Sequence, residues 1–381
     1  MKIALVAPLV ESVPPSMYGG TERVVSALTE ELVRRGHDVT LFASGDSLTK
    51  AALVACAPSG LRLNPEVRDY PAYTMIELGE VYAHAASFDV IHNHVDYFAF
   101  PFARLSATPT VNTVHGRLDL PEVRRVYSLF PEQPLVSISH SQRSPLPAAN
   151  WLATVYNGID LDHFTFRPNG GDYLVFVGRV SPEKRVDRAI EIARDVGIRL
   201  VIAAKVDPVD AEYYKHAIEP LVRRSHLVEF IGEVDEDQKD IILGGAYASL
   251  FPVDWPEPFG LTMVESMATG TPVIAYRAGS VPEVIEEGVT GFICDSVRAM
   301  VEAVPKVEEL DRRACRRYVE ERFSAAAMTS GYEEVYEAVT GGRHVLRAQP
   351  SMLLMEKETH ALALGGVAGQ DYNGQPRAEA G

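Results

Sequence analysis

FPVDWPEPFGLTMVESMATGTPVIA, running from Phe251 to Ala275, is the stretch on which the rest of the chain turns. The apolar run Ala246 to Phe251 leading into it reads as a short buried strand, and Pro252, Pro256 and Pro258 then end any ladder. Beyond the loop, Leu261, Val264, Met267 and Ala268 recur at three- and four-residue steps. They predict a helix that begins near Phe259 or Gly260 and stops at Gly270, a residue suited to the C′ position. The first turn of such a helix leaves backbone N–H groups unpaired at the positive end of its dipole, so it favours an anion, and Gly260 would let one come close. Two acids bracket this end, Glu257 in the loop and Glu265 inside the helix.

An anion-favouring helix end between two carboxylates suits a ligand with phosphate in its middle and hydroxyls at both ends, because carboxylates accept hydrogen bonds from hydroxyls. A sugar nucleotide has that layout. Each glutamate alone reads more readily as a solvated helix residue or surface acid; the combination argues otherwise. Glu257 and Glu265 stand in an E-x7-E arrangement, and EPFGLTMVESMATGTPVIA closely resembles the text of the family 4 retaining glycosyltransferases, the glycosyl transferases of group 1. The resemblance runs from Met1 to about Ala338. It implies an α/β protein of GT-B fold, with two Rossmann-like doubly wound domains facing across a cleft.

Composition sets independent bounds. A chain of 381 residues, 46% apolar, is long enough for two domains, each with its own core. A formal charge of −16 argues against nucleic acid as a partner, since nonspecific binding needs a basic surface. Cys56, Cys294 and Cys315 lie far apart without metal-site spacing, which favours free thiols in a reducing, cytoplasmic setting. The apolar run in MKIALVAPLV is too short for a signal sequence and reads as a first strand, and no run is long enough to span a bilayer.

Ile3 to Ala7 has the continuous apolar character of a strand buried on both faces of a parallel sheet. A loop to Gly20 follows, then a helix with Thr21 as N-cap, a stripe of Val24, Val25, Leu28, Leu32 and Val33, and a stop at Gly36 before a strand over His37 to Phe42. Gly19-Gly20 at the helix mouth reads as a flexible turn or as a place where phosphate approaches the backbone; the resemblance implies that this pair faces donor phosphate and acceptor. A helix pattern over 77–86 leads into FDVIH, and Pro109 to His115 gives another strand. Both lead to histidines where open α/β sheets bind ligands. The resemblance implies that His115 lies against the transferred sugar. His94 and Asp96 are candidates for the acceptor side. Strands at Leu135–Ser139 and Ala153–Tyr156 precede Asn157-Gly158-Ile159-Asp160, which the family uses as its interdomain link. The Asp160-Leu161-Asp162 pair resembles a metal motif of a different fold, but its place in a linker argues against metal.

The second half restarts the pattern. Tyr173 to Val177 reads as a buried strand, Gly178-Arg179 as a turn, and Ser181-Pro182-Glu183 as the N-cap and first turn of a helix whose buried stripe is Val186, Ala189, Ile190, Ala193 and Val196. Arg179 and Lys184 at its mouth are either surface cations or a clamp for diphosphate; the family's GR-x-SPEK text assigns them the donor diphosphate. Strands at Leu200–Ala204, Val228–Gly232 and Val273–Tyr276 follow, with AGSVPEVI completing the core near the donor in the resembled family. The expected domains are 1–165 and 166–323, with a helix over about 324–340 crossing back onto the first and a mostly disordered tail over 341–381.

The resemblance implies a retaining hexosyltransferase that needs no metal or other cofactor. In it Gly20, Arg179, Lys184, Glu257, Phe259, Gly260, Leu261 and Glu265 bind the donor, while His115 and Glu257 grip the sugar. Gly19 faces the acceptor with His94 and Asp96. UDP-glucose is the first expectation for the donor and GDP-mannose the second; the acceptor is a sugar, a small molecule or a lipid-linked compound reached through peripheral membrane contact. A sugar-nucleotide epimerase of the same architecture, or a non-catalytic partner protein of the same fold, are the competing readings.

Overall fold

The computed structural model describes residues 1–62 and 64–341. Among them, β1 (Lys2–Val6), β2 (Asp38–Ser44), β3 (Ala52–Ala57), β4 (Val90–Asn93), β5 (Thr110–Val114), β6 (Leu135–Ser137) and β7 (Trp151–Thr154) form one sheet in the order β3-β2-β1-β4-β5-β6-β7. Every pairing is parallel; Ile3 of β1 stands beside Val39 of β2 on one flank and Val90 of β4 on the other. The run Ile3 to Ala7 has no exposed surface, as a strand covered by helices on both faces requires. Strand order reverses between β1 and β4, and the crevice at their carboxyl ends is where such sheets receive ligands.

The second sheet repeats the plan. β8 (Tyr173–Arg179), β9 (Arg199–Lys205), β10 (Val228–Gly232), β11 (Ala248–Phe251), β12 (Val273–Tyr276) and β13 (Gly291–Cys294) lie in the order β10-β9-β8-β11-β12-β13, again all parallel. Its reversal falls between β8 and β11, so Arg179 and the loop after Phe251 flank the second crevice.

Two segments connect the sheets, and they run side by side. Ile159 N–H donates to Phe323 O and Ala325 N–H to Ile159 O, both at 2.9 Å. A Cβ on Gly158 would lie 2.5 Å from Ser324 O, so the contact needs a residue without a side chain. The helix Ala325–Gly341 then packs on the helix Gly20–Arg34, burying Met328, Tyr332, Val335, Tyr336 and Val339 in the core built on Ile3, Leu5 and Leu28. At roughly 2 kcal/mol for each buried apolar side chain, this contact holds on the order of 10 kcal/mol as an upper figure, so the helix moves with the first sheet. Gly341 closes that helix instead of opening the tail; residues 342–381 of the tail expected from the sequence lie outside the described residues. The three cysteines are free.

Candidate functional site

The loop after β11 is clamped from behind. Ser280 N–H donates to Glu257 O at 3.0 Å, and Ser280 Oγ donates to Phe259 O at 2.8 Å. Gly279 makes this possible: its φ of 53° is left-handed, and a Cβ there would fall 2.3 Å from Glu257 N. The Glu257 carboxylate therefore points from a fixed backbone. Its Oε2 accepts from Lys184 Nζ at 2.5 Å and from Trp255 Nε1 at 2.7 Å.

The predicted helix follows over Leu261–Ala268, with Gly260 at its N-cap (φ 77°) and Gly270 two residues past its end (φ 90°). No side chain caps Gly260, so the first N–H groups open into the cleft. Glu265 is 3% exposed and bound to Lys239 Nζ at 2.5 Å, with Arg23 Nε at 4.0 Å. Burial lowers the pKa of the Lys239 ammonium, and the charge of Glu265 opposes that shift.

The turn after β8 differs from expectation. Pro182–Lys184 form a single 3-10 turn, Arg185 takes a left-handed conformation (φ 56°), and the helix starts only at Val186. Tertiary contacts override the local Ser-Pro-Glu signal, since the Arg185 guanidinium is tied to Asp187 at 2.8 Å and Asp254 at 2.8 Å, and Asp254 N–H donates to Glu183 O. Lys184 is thereby turned toward Glu257. Arg179 is held by Glu183 at 2.7 Å, with Asp207 and Asp210 each at 3.7 Å.

From the first sheet come the Gly19-Gly20 turn and His115. The helix begins at Gly20 with Gly19 as its N-cap, two residues earlier than the Thr21 cap predicted; a Cβ on Gly19 would meet Pro15 at 2.7 Å. His115 Nε2 bonds to His94 Nδ1 at 2.9 Å, and the His92 ring lies against that of His94, tilted by 41° with centroids 4.1 Å apart. Burial holds His92 down to about 3 and His115 to about 4, with His94 well below its ordinary value, so all three imidazoles are neutral near pH 7. Burial raises Asp96 to about 6, while the backbone N–H groups of His115 and Gly116 pull the other way.

These groups surround one cavity of about 410 Å³, within the size range of small-molecule sites. Gly19, Gly20 and His115 line it from one side; Arg179, Lys184, Glu257, Phe259, Gly260, Leu261 and Glu265 line it from the other. His94 and Asp96 do not. His94, 2% exposed, stands behind His115, to which it is bonded. Asp160 accepts from Asp162 N–H at 3.0 Å and so caps a turn. Among the described residues no group of three His, Cys, Asp or Glu is placed to hold a metal, and no helix is long and apolar enough to cross a membrane.

Sequence reading missed part of this wall: Glu11, Glu22, Arg23, Arg62, Lys205, Glu233 and Lys239 also line the cavity. Lys239 had a signal, a lysine one turn before buried Leu243 on the core face of the helix Glu236–Gly244. Arg62 had none, since its partners Glu11 and Glu233 come from opposite sheets.

Residues 18–163 match the family described as Glycosyltransferase Family 4, and residues 160–322 match Glycosyl transferases group 1. The two matches meet at the linker and together take in both crevices. The chain is a family 4 glycosyltransferase. Among its relatives, a glycogen synthase of Mycobacterium tuberculosis is 26% identical, over 92% of this glycosyltransferase and 97% of the relative. An N-acetyl-alpha-D-glucosaminyl L-malate synthase of Bacillus anthracis is 27% identical, over 84% and 93%. The solved structure of AviGT4, a glycosyltransferase involved in avilamycin A biosynthesis, matches with a TM-score of 0.67 at 25% identity, covering 90% of this chain and 98% of that one. The glycosyltransferase has the GT-B fold, with two parallel-sheet α/β halves facing across the cleft.

Proposed function

We propose that this glycosyltransferase is a retaining enzyme that moves a hexose from a nucleotide sugar to an acceptor hydroxyl without a metal ion, with UDP-glucose the first candidate donor and GDP-mannose the second. One observation carries the reading: two cations, a helix N-terminus, two carboxylates and a neutral histidine, drawn from both sheets, line one cavity. Lys184, Arg179 and the N–H groups at Gly260 and Leu261 hold the diphosphate and stabilise the charge that grows as it leaves. Glu257 takes the sugar hydroxyls and Glu265 those of the ribose. His115, neutral, faces the sugar from the first sheet. The leaving phosphate and the incoming hydroxyl share one face of an oxocarbenium-like sugar, and a phosphate oxygen takes the acceptor proton.

In the structure Lys184 and Glu257 neutralise each other. Donor binding exchanges that pair for two new ones, phosphate on the lysine and sugar hydroxyl on the glutamate. Thermal stabilisation by UDP, GDP and ADP sugars, with Mg²⁺ or with chelator, tests this. At a hundredfold excess over Kd the correct nucleotide adds about 2.7 kcal/mol of stability. A shift of several degrees with one base, equal with and without Mg²⁺ and lost in Lys184→Ala, is the expected result. No shift with any nucleotide refutes the donor site, and inverted anomeric configuration in the product refutes the retaining course.

A further inference from the structure

Among the described residues, every lysine and arginine on the cavity wall already faces a carboxylate. On the side of the second sheet Lys184 meets Glu257 and Lys239 meets Glu265, both at 2.5 Å; Lys205 meets Asp207 at 3.0 Å and Arg179 meets Glu183 at 2.7 Å. On the side of the first sheet Arg23 pairs with Glu236, and Arg62 pairs with Glu11 and lies 3.1 Å from Glu233.

One lining carboxylate is left over. Glu22, in the first turn of the helix Gly20–Arg34, is 5% exposed and lines the cavity, yet among the described residues it has no cation partner and no side-chain donor. Only its own backbone N–H and that of Glu11 reach its oxygens, and a carboxylate offers about four acceptor positions. A buried carboxylate so sparsely bonded is costly, and a ligand that brings donors relieves that cost. Glu22 stands in the first turn of the first-sheet helix, two residues after Gly20.

The same wall repels anions. With Arg23 and Arg62 both occupied, a phosphate or carboxylate on the acceptor would meet the uncompensated Glu22 in a poorly solvated space, where like charges oppose each other strongly. An ammonium on the acceptor would face Lys205 of the opposite wall as well as Glu22.

Resting on the reading of the cleft as a hexosyltransferase site, we propose that Glu22 binds the acceptor and that the acceptor is an uncharged polyhydroxylated molecule, a sugar or polyol, presenting hydroxyl donors to this carboxylate. Glu22 accepts from a hydroxyl next to the reacting one. It takes no proton in the transfer.

The test uses the full chain and the nucleotide sugar that stabilises it. Release of nucleoside diphosphate above the acceptor-free rate is measured with D-glucose, maltose and myo-inositol, each beside a phosphate monoester of the same compound, and with D-glucosamine. The expected result is turnover with a neutral member and at least tenfold less with its phosphate. Glu22→Gln keeps an acceptor oxygen but loses the charge that strengthens the bond, so it should raise the acceptor KM about tenfold, while the donor-induced thermal shift stays as in the wild type and shows that the variant is folded. Glu22→Asp should recover part of the loss. Preference for the phosphates or for glucosamine overturns the proposal, as does an unchanged acceptor KM in Glu22→Gln, or a donor-stabilised enzyme that uses no neutral member. Absence of any donor shift refutes the hexosyltransferase reading itself and is seen before any acceptor is added.

Discussion

Removing Glu265 should destabilise the protein in a way that depends on pH through Lys239. The two side chains are 2.5 Å apart and nearly inaccessible, with Glu265 3% and Lys239 8% exposed. Breaking a buried pair by deleting one partner costs about 3–5 kcal/mol. In Glu265→Leu the abandoned lysine also faces Arg23, which lies 4.0 Å from the lost carboxylate. Its escape is to lose its proton. From an ordinary value of 10.5, neutralising a lysine costs about 5 kcal/mol at pH 7 and about 2 kcal/mol at pH 9, and the penalty cannot exceed that limit. The unfolded chain then binds more protons than the folded one, so the variant's stability rises with pH. Urea unfolding should give a loss of about 4 kcal/mol at pH 7 that shrinks to about 2 kcal/mol or less at pH 9. Lys239→Met should cost less, about 2 kcal/mol at either pH, because Arg23 remains beside Glu265. The double variant Lys239→Met with Glu265→Leu should recover more than half of the Glu265→Leu loss. A loss in Glu265→Leu that is the same at pH 7 and pH 9 would refute the assignment of the penalty to an unpaired buried ammonium.

Two further variants test the same site. Gly279→Ala places a methyl group against the backbone of Glu257 from a left-handed φ, so it should cost about 1–2 kcal/mol for that conformation alone. A shift of about 1 Å in Glu257 should also lower kcat roughly a hundredfold, read in a single-turnover assay. Burial raises Glu22 from 4.5 to about 7, ahead of the repulsion from Glu11 and against Lys205. A group raised in the folded state contributes stability below its unfolded value that is lost as pH rises through the folded one. Wild type should therefore lose about 3 kcal/mol between about pH 4.5 and pH 7 relative to Glu22→Gln, and parallel stability curves for the two proteins would exclude it.

The central strands were legible because a strand covered on both faces leaves a continuous apolar run, as in Ile3–Ala7 and Ala246–Phe251. The edge strands β3 and β13 escaped notice: β3 is largely exposed and built from Ala, Leu, Val and Cys without alternation, and β13 opens on Gly291, whose missing side chain lets it lie against Val273. The helix read over 77–86 runs over Tyr70–Ala83, because Asp69 caps it by accepting from Ala72 N–H and Pro71 sits in its first turn, a signal stronger than the apolar spacing further on. The residues that bind ligand in the resembled family were legible as text. What those residues do to one another was not, since Lys184 meets Glu257 across 73 positions and Arg62 meets Glu233 across 171. Gly279 was visible as a glycine, but its reason is a backbone 22 positions upstream.

The adjoining connections at Ile159 and Ser324 have an architectural consequence. Since the helix after Ser324 completes the core of the first sheet, everything from Asp160 to Phe323 is an insertion whose entry and exit lie next to each other. Such a segment can be exchanged as a cassette: the second-sheet half of one enzyme can replace that of another with two nearby splices, and the body that receives it keeps its own terminal helix. On the function proposed above, recombination at that paired seam separates the choice of donor from the choice of acceptor.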